Sequence, residues 1–404
     1  MNSSDLEFAA TIDSDSIHKP TATKPDRLLS LDVLRGLTIG FMIMVNNQVG
    51  PAPFRELSHA RWNGFTATDL VFPTFLLLVG LSTVLSLSAR LARGATRKEL
   101  FLHTVRRAAV LILFGFVVNN FPFFHMATAR YYGVLPRIGL CYFVVATLFL
   151  ISPRWKDKVV IAVVCLVGYW ALMRFVPVPG SGVPTHEIPI NDHDANLTAW
   201  LDRQIFSAAH LYEHTRDPEG LLSTLPSIAT ALFGMIAGIW LRANGSTLRK
   251  AGMLAITGVL FLAAGLAWDP FFPINKKLWT SSFSLYAGGW SLLLLAASIY
   301  LIDVWRVGRS QTGSSGLESA TMYTPLMVFG TNSILAYMIS ELGDSVLHSI
   351  HTGTGTNLKA AAYQAITKIV PDPAWSSLLY SVGFMALCWL PVLVFYRKRI
   401  FLRI

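Results

Sequence analysis

Long apolar stretches alternate with short polar ones along almost the whole chain. An α-helix needs about 20 apolar residues to cross a bilayer core of about 30 Å, and ten stretches approach that length. They lie at 29–48, 68–89, 104–121, 134–151, 158–176, 221–242, 250–267, 281–302, 323–341 and 376–396. The pattern predicts an all-α polytopic membrane protein with about ten transmembrane helices, which form one domain over residues 27–404.

Composition and charge support this fold class and add an orientation. The chain is 53% hydrophobic and only 14% charged, with a net charge of +10. If both termini are cytoplasmic, 21 of the 33 Lys and Arg residues fall in inward segments, as the positive-inside rule requires. We therefore predict cytoplasmic termini, and we attribute the basic excess to membrane topology, with no nucleic-acid partner.

The segments outside the apolar stretches carry further expectations. The first 26 residues are polar and contain no apolar run of a signal peptide, so they are expected to form a disordered cytoplasmic tail. The outward loop 177–220 is rich in ionisable groups. The three cysteines all lie in apolar runs and are expected to pack as small buried hydrophobes, without a disulfide or metal framework.

The stretch FRELSHARWNGFTATDL holds the first candidate chemistry. Asn46 closes the first predicted helix, His59 lies in the following loop and Asp69 opens the second helix. A carboxylate can fix the tautomer of an imidazole that acts as a general base, and an amide can donate to a developing oxyanion. The alternative is that Asp69 only caps the helix and His59 is a solvated loop residue.

Arginines near the inner helix ends form a second candidate group. Asp32 and Arg35 lie on one helix face, where pairing lowers the cost of placing charge at the membrane edge. Arg35, Arg106 and Arg107 are equally suited to the phosphates of a cytoplasmic nucleotide, because arginine binds phosphate with two parallel hydrogen bonds.

The sequence HLYEH, with His210, Glu213 and His214, matches a metallopeptidase pattern. On a helix the two histidines would share one face as zinc ligands, with Glu213 as base. The chain shows no clear third ligand, so a membrane metallopeptidase is kept only as a rival interpretation.

Other polar residues lie on outward loops or in apolar segments. Some have a structural explanation, since Trp279 fits an interfacial anchor and Glu219 follows a helix-start signal. Polar groups inside apolar segments usually face a cavity or the bundle interior. The candidate sugar ligands are Trp62, Asn63, Glu219, Asn275, Lys276, Trp279, Asn332 and Glu341.

Seven separated blocks resemble one known family. They are RLLSLDVLRGLTIGFMIMVN, HARWNGFTATDLVFPTF, GVLPRIGLCYFVVA, HLYEHTRDPEGLLSTLPSI, PINKKLWTSSF, GTNSILAY and YRKRIFLRI. In this order they are similar to the heparan-α-glucosaminide N-acetyltransferase family of transmembrane acyltransferases. The similarity runs from about residue 27 to the C-terminus, and it is greatest to the compact bacterial branch, some members of which are associated with amino-sugar use.

The resemblance implies that acetyl passes from cytoplasmic acetyl-CoA to the amine of a glucosamine unit on the outer, periplasmic side. It implies His59 as the catalytic base or acetyl carrier, with Asn46 and Asp69 beside it. It also makes Arg137 a candidate cavity charge, and it implies a homodimer in the bacterial inner membrane. The family can carry Gln in place of Glu213, which weighs against the metallopeptidase. An amino-sugar secondary transporter remains the rival from another functional class.

Overall fold

The protein is described here by a computed structural model that covers residues 28–307, 321–353 and 355–402. Within these ranges the chain forms thirteen α-helices and no strand, which confirms the predicted all-α fold. The predicted disordered tail, residues 1–26, lies outside the described residues. The helices are α1 Leu29–Asn46, α2 Val71–Ala92, α3 Arg97–Asn120, α4 Val134–Ile151, α5 Trp155–Phe175, α6 Leu197–Ile205, α7 Thr224–Arg242, α8 Thr247–Trp268, α9 Ser281–Ser298, α10 Thr324–Thr331, α11 Ser333–Ser349, α12 Leu358–Thr367 and α13 Pro373–Arg397.

Nine helical spans in the described ranges are long and apolar enough to cross a membrane. The second begins with the helical turn Ala67–Leu70 ahead of α2, and the span of α9 continues through the π-helical turn Ile299–Val304. A tenth crossing is possible only if α10 and α11 together form one broken span, because they meet at an angle of 85°. The segment predicted as one helix, 323–341, is therefore two helices.

The break between α10 and α11 falls at Asn332. Its side-chain amide donates to the carbonyl of Ile400 at 3.1 Å, and its oxygen accepts from the N–H of Leu402 at 3.0 Å. The C-terminal segment thus satisfies the polar side chain at the bend. Asn332 is buried in the bundle interior, in agreement with its depth in an apolar run, but its side chain holds this segment and does not face a cavity as a candidate sugar ligand.

Close helix crossings depend on glycine. A Cβ added at Gly36 of α1 would lie 1.8 Å from the carbonyl oxygen of Leu326, and one at Gly330 of α10 would lie 1.9 Å from that of Asp32. Gly234 of α7 makes a similar approach to the backbone of Leu77 in α2. Small residues at such crossings let transmembrane helices pack backbone to backbone. The crossings fix the positions of α1 and α2. Asn46 is the last residue of α1, and Asp69 lies in the turn just before α2.

The ends of the described chain meet on one side of the bundle. Leu29 and Val33 at the start of α1 belong to the same apolar cluster as Tyr396 near the end of α13. Cys141, Cys165 and Cys388 are all buried without a disulfide, in the packing role expected from the sequence.

Candidate active site

A cavity of about 590 Å³ opens beside the loop that joins α1 to α2. Apolar side chains of α1, α2, α4 and α11 form its deeper wall, and the loops between helices supply most of its polar wall. Convergent polar groups over an apolar base are typical of small-molecule sites. The polar side chains that line it are Asn46, His59, Arg61, Thr68, Asn119, Arg130, Tyr212, Glu213, Glu219, Lys276, Lys277, Ser333, Tyr337 and Glu341.

His59 and Asp69 form a hydrogen-bonded pair in this cavity. Nδ1 of His59 lies 2.8 Å from Oδ1 of Asp69, whose side chain is fully buried. The other oxygen, Oδ2, accepts from the backbone N–H groups of Thr66 at 3.0 Å and Ala60 at 3.2 Å. Thr66 is the N-cap residue of the turn before α2, and Asp69 completes its capping box. The two interpretations of Asp69 are therefore compatible, since one carboxylate closes the helix start and holds the imidazole.

The Asp69 contact decides which ring nitrogen of His59 is available for chemistry. An ionised carboxylate can only accept hydrogen bonds, so the ring nitrogen that faces it, Nδ1, is assigned the proton. The other ring nitrogen, Nε2, keeps its lone pair. Partial removal from water lowers the pKa of His59, opposed by the hydrogen bond to Asp69 and reinforced by the charge of Lys276. The side chain keeps 43% of its surface accessible because it faces the open cavity. The imidazole is thus neutral near pH 7 and can accept a proton at Nε2.

Lys276 reaches the same imidazole from the loop between α8 and α9. Its Nζ lies 3.0 Å from Nε2 and also 3.0 Å from Nδ1 of His59. Burial lowers the pKa of Lys276, while Asp69 and Glu219 raise it. The amine and the base are close enough to exchange a proton.

Carboxylates, the amide of Asn46 and the guanidinium of Arg130 line another part of the cavity wall. Asn46 lies within hydrogen-bonding reach of Glu341. Arg130 binds both carboxylate oxygens of Asp217, at 2.7 and 2.8 Å, and also Glu219 at 2.6 Å. These contacts raise the pKa of Arg130, although burial opposes them. Asp217 is therefore bound in a buried ion pair, while Glu219 remains part of the cavity surface.

A second cavity of about 280 Å³ lies deeper in the bundle, toward the end where the described termini meet. Its basic groups are Arg35, Arg90, Arg107 and His103, and no carboxylate lines it within the described ranges. Arg35 also contacts Asp32 at 3.1 Å and Ser82 at 2.7 Å. The two cavities share the wall residues Phe75, Leu135, Ile138, Ser333 and Ile334. They therefore adjoin through the interior of the bundle.

Two of the four candidate arginines do not reach either cavity. Arg106 is exposed on the surface of α3. Arg137 is buried, donates to the carbonyl of Gly220 at 2.9 Å and to the hydroxyl of Ser223, and lies 5.4 Å from the centre of the Trp279 ring. Instead of lining the cavity, Arg137 ties α4 to the segment before α7.

Four candidate sugar ligands are bonded to other parts of the protein and do not line the cavity. The indole of Trp62 donates to the carbonyl of Asn191 at 2.9 Å, and the amide oxygen of Asn63 accepts from Asn275 at 3.1 Å. Trp279 is buried and its indole donates to Thr230 at 3.3 Å. Protein partners occupy these polar groups, so the cavity contains only Glu219, Lys276 and Glu341 from the expected set of sugar ligands.

The HLYEH segment does not form the helix that zinc binding by its two histidines requires. His210 ends a short turn and lies 2.7 Å from the carbonyl of Ala129, whereas His214 has a positive φ of 60°. Glu213 pairs with Arg216 and, at 2.9 Å, with Lys277. Among the residues that the structure describes, no group of three or more His, Cys, Asp or Glu side chains is arranged to hold a metal ion.

Sequence reasoning missed several residues that line the two cavities. They come from loops and helices far apart in the chain, and Arg130 is the clearest case. It lies in ARYYGVLPRIG, beside a block that the family resemblance already marked. The missed polar residues include Arg61, Arg90, His103, Arg130, Tyr212 and Tyr337.

Comparisons with known proteins agree on one family. A family model described as heparan-alpha-glucosaminide N-acetyltransferase, catalytic, matches residues 27–267. The heparan-alpha-glucosaminide N-acetyltransferase of Homo sapiens is 30% identical over 372 residues, which cover 79% of this chain and 53% of the human protein. That of Mus musculus is 30% identical over 371 residues, which cover 78% and 54%. The chain thus spans about half the length of the curated relatives it matches.

Proposed function

The chain belongs to the heparan-alpha-glucosaminide N-acetyltransferase catalytic family, and from this premise we propose that it is a transmembrane N-acetyltransferase. Its donor is acetyl-CoA on the cytoplasmic side, and its acceptor is the amine of a glucosamine-type sugar on the outer side. The observation that carries the proposal is the pair of adjoining cavities. One contains the His59–Asp69 pair and the other is basic.

The basic cavity fits the phosphate end of the donor. Arg90 and Arg107 have no carboxylate partner among the described residues, and arginine binds phosphate oxygens strongly. We place the nucleotide of acetyl-CoA here and its slim pantetheine arm along the wall that both cavities share. The thioester then arrives beside His59 without the nucleotide crossing the membrane.

The His59 pair performs the proton chemistry. Nε2 takes the proton of the amine as the amine attacks the thioester carbonyl, while Asp69 holds the ring and stabilises the imidazolium that forms. Asn46, on the same cavity wall, donates to the oxygen that becomes negative. These steps describe direct transfer from the thioester to the amine. In an acetyl-carrier variant of the mechanism, His59 first takes the acetyl group and then passes it to the amine.

Proteoliposomes test the proposal most directly. Acetyl-CoA is supplied on one side only and glucosamine on the other, and free CoA and N-acetylglucosamine are measured separately. We expect CoA on the donor side and acetylated sugar on the acceptor side. A transporter would move sugar without consuming acetyl-CoA, and this result would reject the acetyltransferase. Acetyl trapped on His59 before sugar is added would select the acetyl-carrier variant.

Two neighbouring arginines on α3 provide a matched test of the donor site. Arg107 lines the basic cavity, while Arg106 faces the outside of α3. Because a hydrogen bond to a charged group contributes about 1.5–3 kcal/mol, Arg107→Ala is expected to raise the KM for acetyl-CoA about tenfold or more. Arg106→Ala should leave it near wild type. If both variants change the KM for acetyl-CoA equally, the proposal that the nucleotide binds in this cavity is wrong.

The pH profile tests how Lys276 acts on His59. The titratable groups that influence His59 are Asp69, Glu219 and Lys276, and the positive charge of Lys276 lowers the pKa of the imidazole. Lys276→Met removes this charge, so the pKa of His59 should rise and the acidic limb of the kcat profile should move to higher pH. Lys277→Met is the control, because Lys277 pairs with Glu213. An unmoved limb in Lys276→Met would contradict the assignment.

A further inference from the structure

Lys276 occupies the position that an acceptor amine must take. An amine that attacks an acetyl group has to lie within hydrogen-bonding reach of the base that receives its proton. Nζ of Lys276 lies 3.0 Å from Nε2 of His59, inside the cavity proposed for the reaction. The protein therefore presents an amine of its own to its catalytic base.

We propose that Lys276 is itself an acetyl acceptor, and that the protein acetylates this side chain when acetyl-CoA is present without an amino sugar. The inference rests on the proposed acetyl transfer and adds to it a modification site and a mode of self-inactivation.

The groups at the site supply every step that this reaction needs. Burial lowers the pKa of Lys276, which increases the neutral, nucleophilic fraction of its amine. A bond forms between Nζ and the acetyl carbonyl carbon, the carbon–sulfur bond breaks, and CoA leaves as a thiolate. Nε2 of His59 takes the proton from nitrogen and returns it to the thiolate. If His59 carries the acetyl group first, Nζ attacks that acetyl-imidazole and gives the same amide.

Acetylation of Lys276 would change the site in two ways. The amide carries no positive charge, so it no longer acts on His59, and it occupies the place of the acceptor amine. An amide is also far less reactive toward amines than a thioester, so this acetyl group is not passed on to sugar. We expect preincubation with acetyl-CoA alone to inactivate the enzyme progressively, and bound amino sugar to protect it.

The neighbouring lysine is an internal control. Nζ of Lys277 lies 2.9 Å from a carboxylate oxygen of Glu213, with which it forms an ion pair. Both lysines line the same cavity and meet the same reagent. Direct chemical acetylation by acetyl-CoA needs no His59 and would persist in His59→Ala, whereas a reaction that depends on His59 would label Lys276 in the wild type and stop in that variant.

The experiment uses the purified protein, residues 1–404, and acetyl-CoA with a ¹³C-labelled acetyl group, with and without glucosamine. Peptide mass spectrometry measures label at Lys276 and Lys277, and the same samples are assayed for N-acetylglucosamine. We expect high occupancy at Lys276 without sugar, several-fold less with sugar, and none at this position in His59→Ala or Lys276→Arg. Thermal melting verifies that each variant is folded. If Lys276→Arg does not fold, Lys276→Met replaces it in the experiment.

The outcomes separate this inference from the function on which it rests. Sugar acetylation with no label on Lys276 overturns the inference alone. Equal label on both lysines, or label that persists in His59→Ala, overturns it by indicating direct chemical acetylation. Label on Lys276 without sugar acetylation supports it and rejects glucosamine as the acceptor. A folded protein that acetylates neither sugar nor lysine rejects both proposals together.

Discussion

Replacing His59 with alanine is expected to lower kcat for acetyl transfer to glucosamine by about 10²- to 10⁴-fold, the usual contribution of a positioned general base. Nε2 is the ring nitrogen left free by Asp69, and no other histidine lines the outer cavity in the described ranges. The measurement is glucosamine-dependent release of CoA by purified wild-type and variant protein, with acetyl-CoA saturating.

The control for this variant is His186→Ala. His186 is an exposed histidine of the loop between α5 and α6, outside both cavities, so its removal should leave kcat near wild type. Thermal melting should show both proteins folded, because the His59 side chain faces the open cavity. If His59→Ala retains wild-type kcat, the proton chemistry must be assigned to another group.

Replacing Gly234 with alanine is expected to have the largest effect on folding. A Cβ at this position would lie 1.8 Å from the carbonyl oxygen and 2.6 Å from the carbonyl carbon of Leu77. These are backbone atoms of α2 and cannot move aside as a side chain could. Overpacking a core typically costs about 1–3 kcal/mol, and we expect a loss near or above the upper end. The measurement is the thermal unfolding temperature in detergent, with the yield of folded protein.

Gly252→Ala is the matched substitution. Gly252 is also a helical glycine, on α8, but no atom lies within 4 Å of the Cβ it would gain. Alanine favours a helix over glycine by up to about 1 kcal/mol, so this variant should melt at or slightly above the wild-type temperature. Equal melting of the two variants would mean that α2 and α7 are not held at this close distance. Because the turn before α2 carries Asp69, any folded Gly234→Ala protein should also lose activity.

The fold was largely predictable because a bilayer restricts what an apolar segment can do. Spanning segments must satisfy their own backbone hydrogen bonds, so long apolar runs become helices. The exception is 323–341, which is broken at Asn332. The apolar pattern did not reveal this break because the side-chain amide of Asn332 finds its hydrogen-bond partners in residues 400 and 402. These partners are 68 and 70 positions away in the sequence.

Within the site, contacts between residues close in the sequence were easier to predict than contacts between distant residues. His59 and Asp69 are ten residues apart, so a short loop between adjacent helices could bring them together, and the family resemblance favoured this over a solvated histidine. Lys276 is 217 residues from His59, and sequence alone identified it as one of eight candidate sugar ligands, with no indication that it reaches the imidazole. Trp62 and Asn63 carry the right chemistry for a sugar, but the outer loops occupy their polar groups.

The sequence by itself determined the helical membrane architecture, the family and the identity of the His59 and Asp69 pair. The architecture follows from a local rule, the length of the apolar runs. The family and the catalytic interpretation of the pair came instead from the resemblance of separate sequence blocks to one family. Only the tertiary structure decided which polar groups share a cavity, that Arg107 faces the bundle while Arg106 does not, and that Lys276 reaches Nε2 of His59. The physical reason is that these facts depend on how helices rotate and approach one another. Contacts between distant residues determine that packing, and no local pattern in the sequence records them.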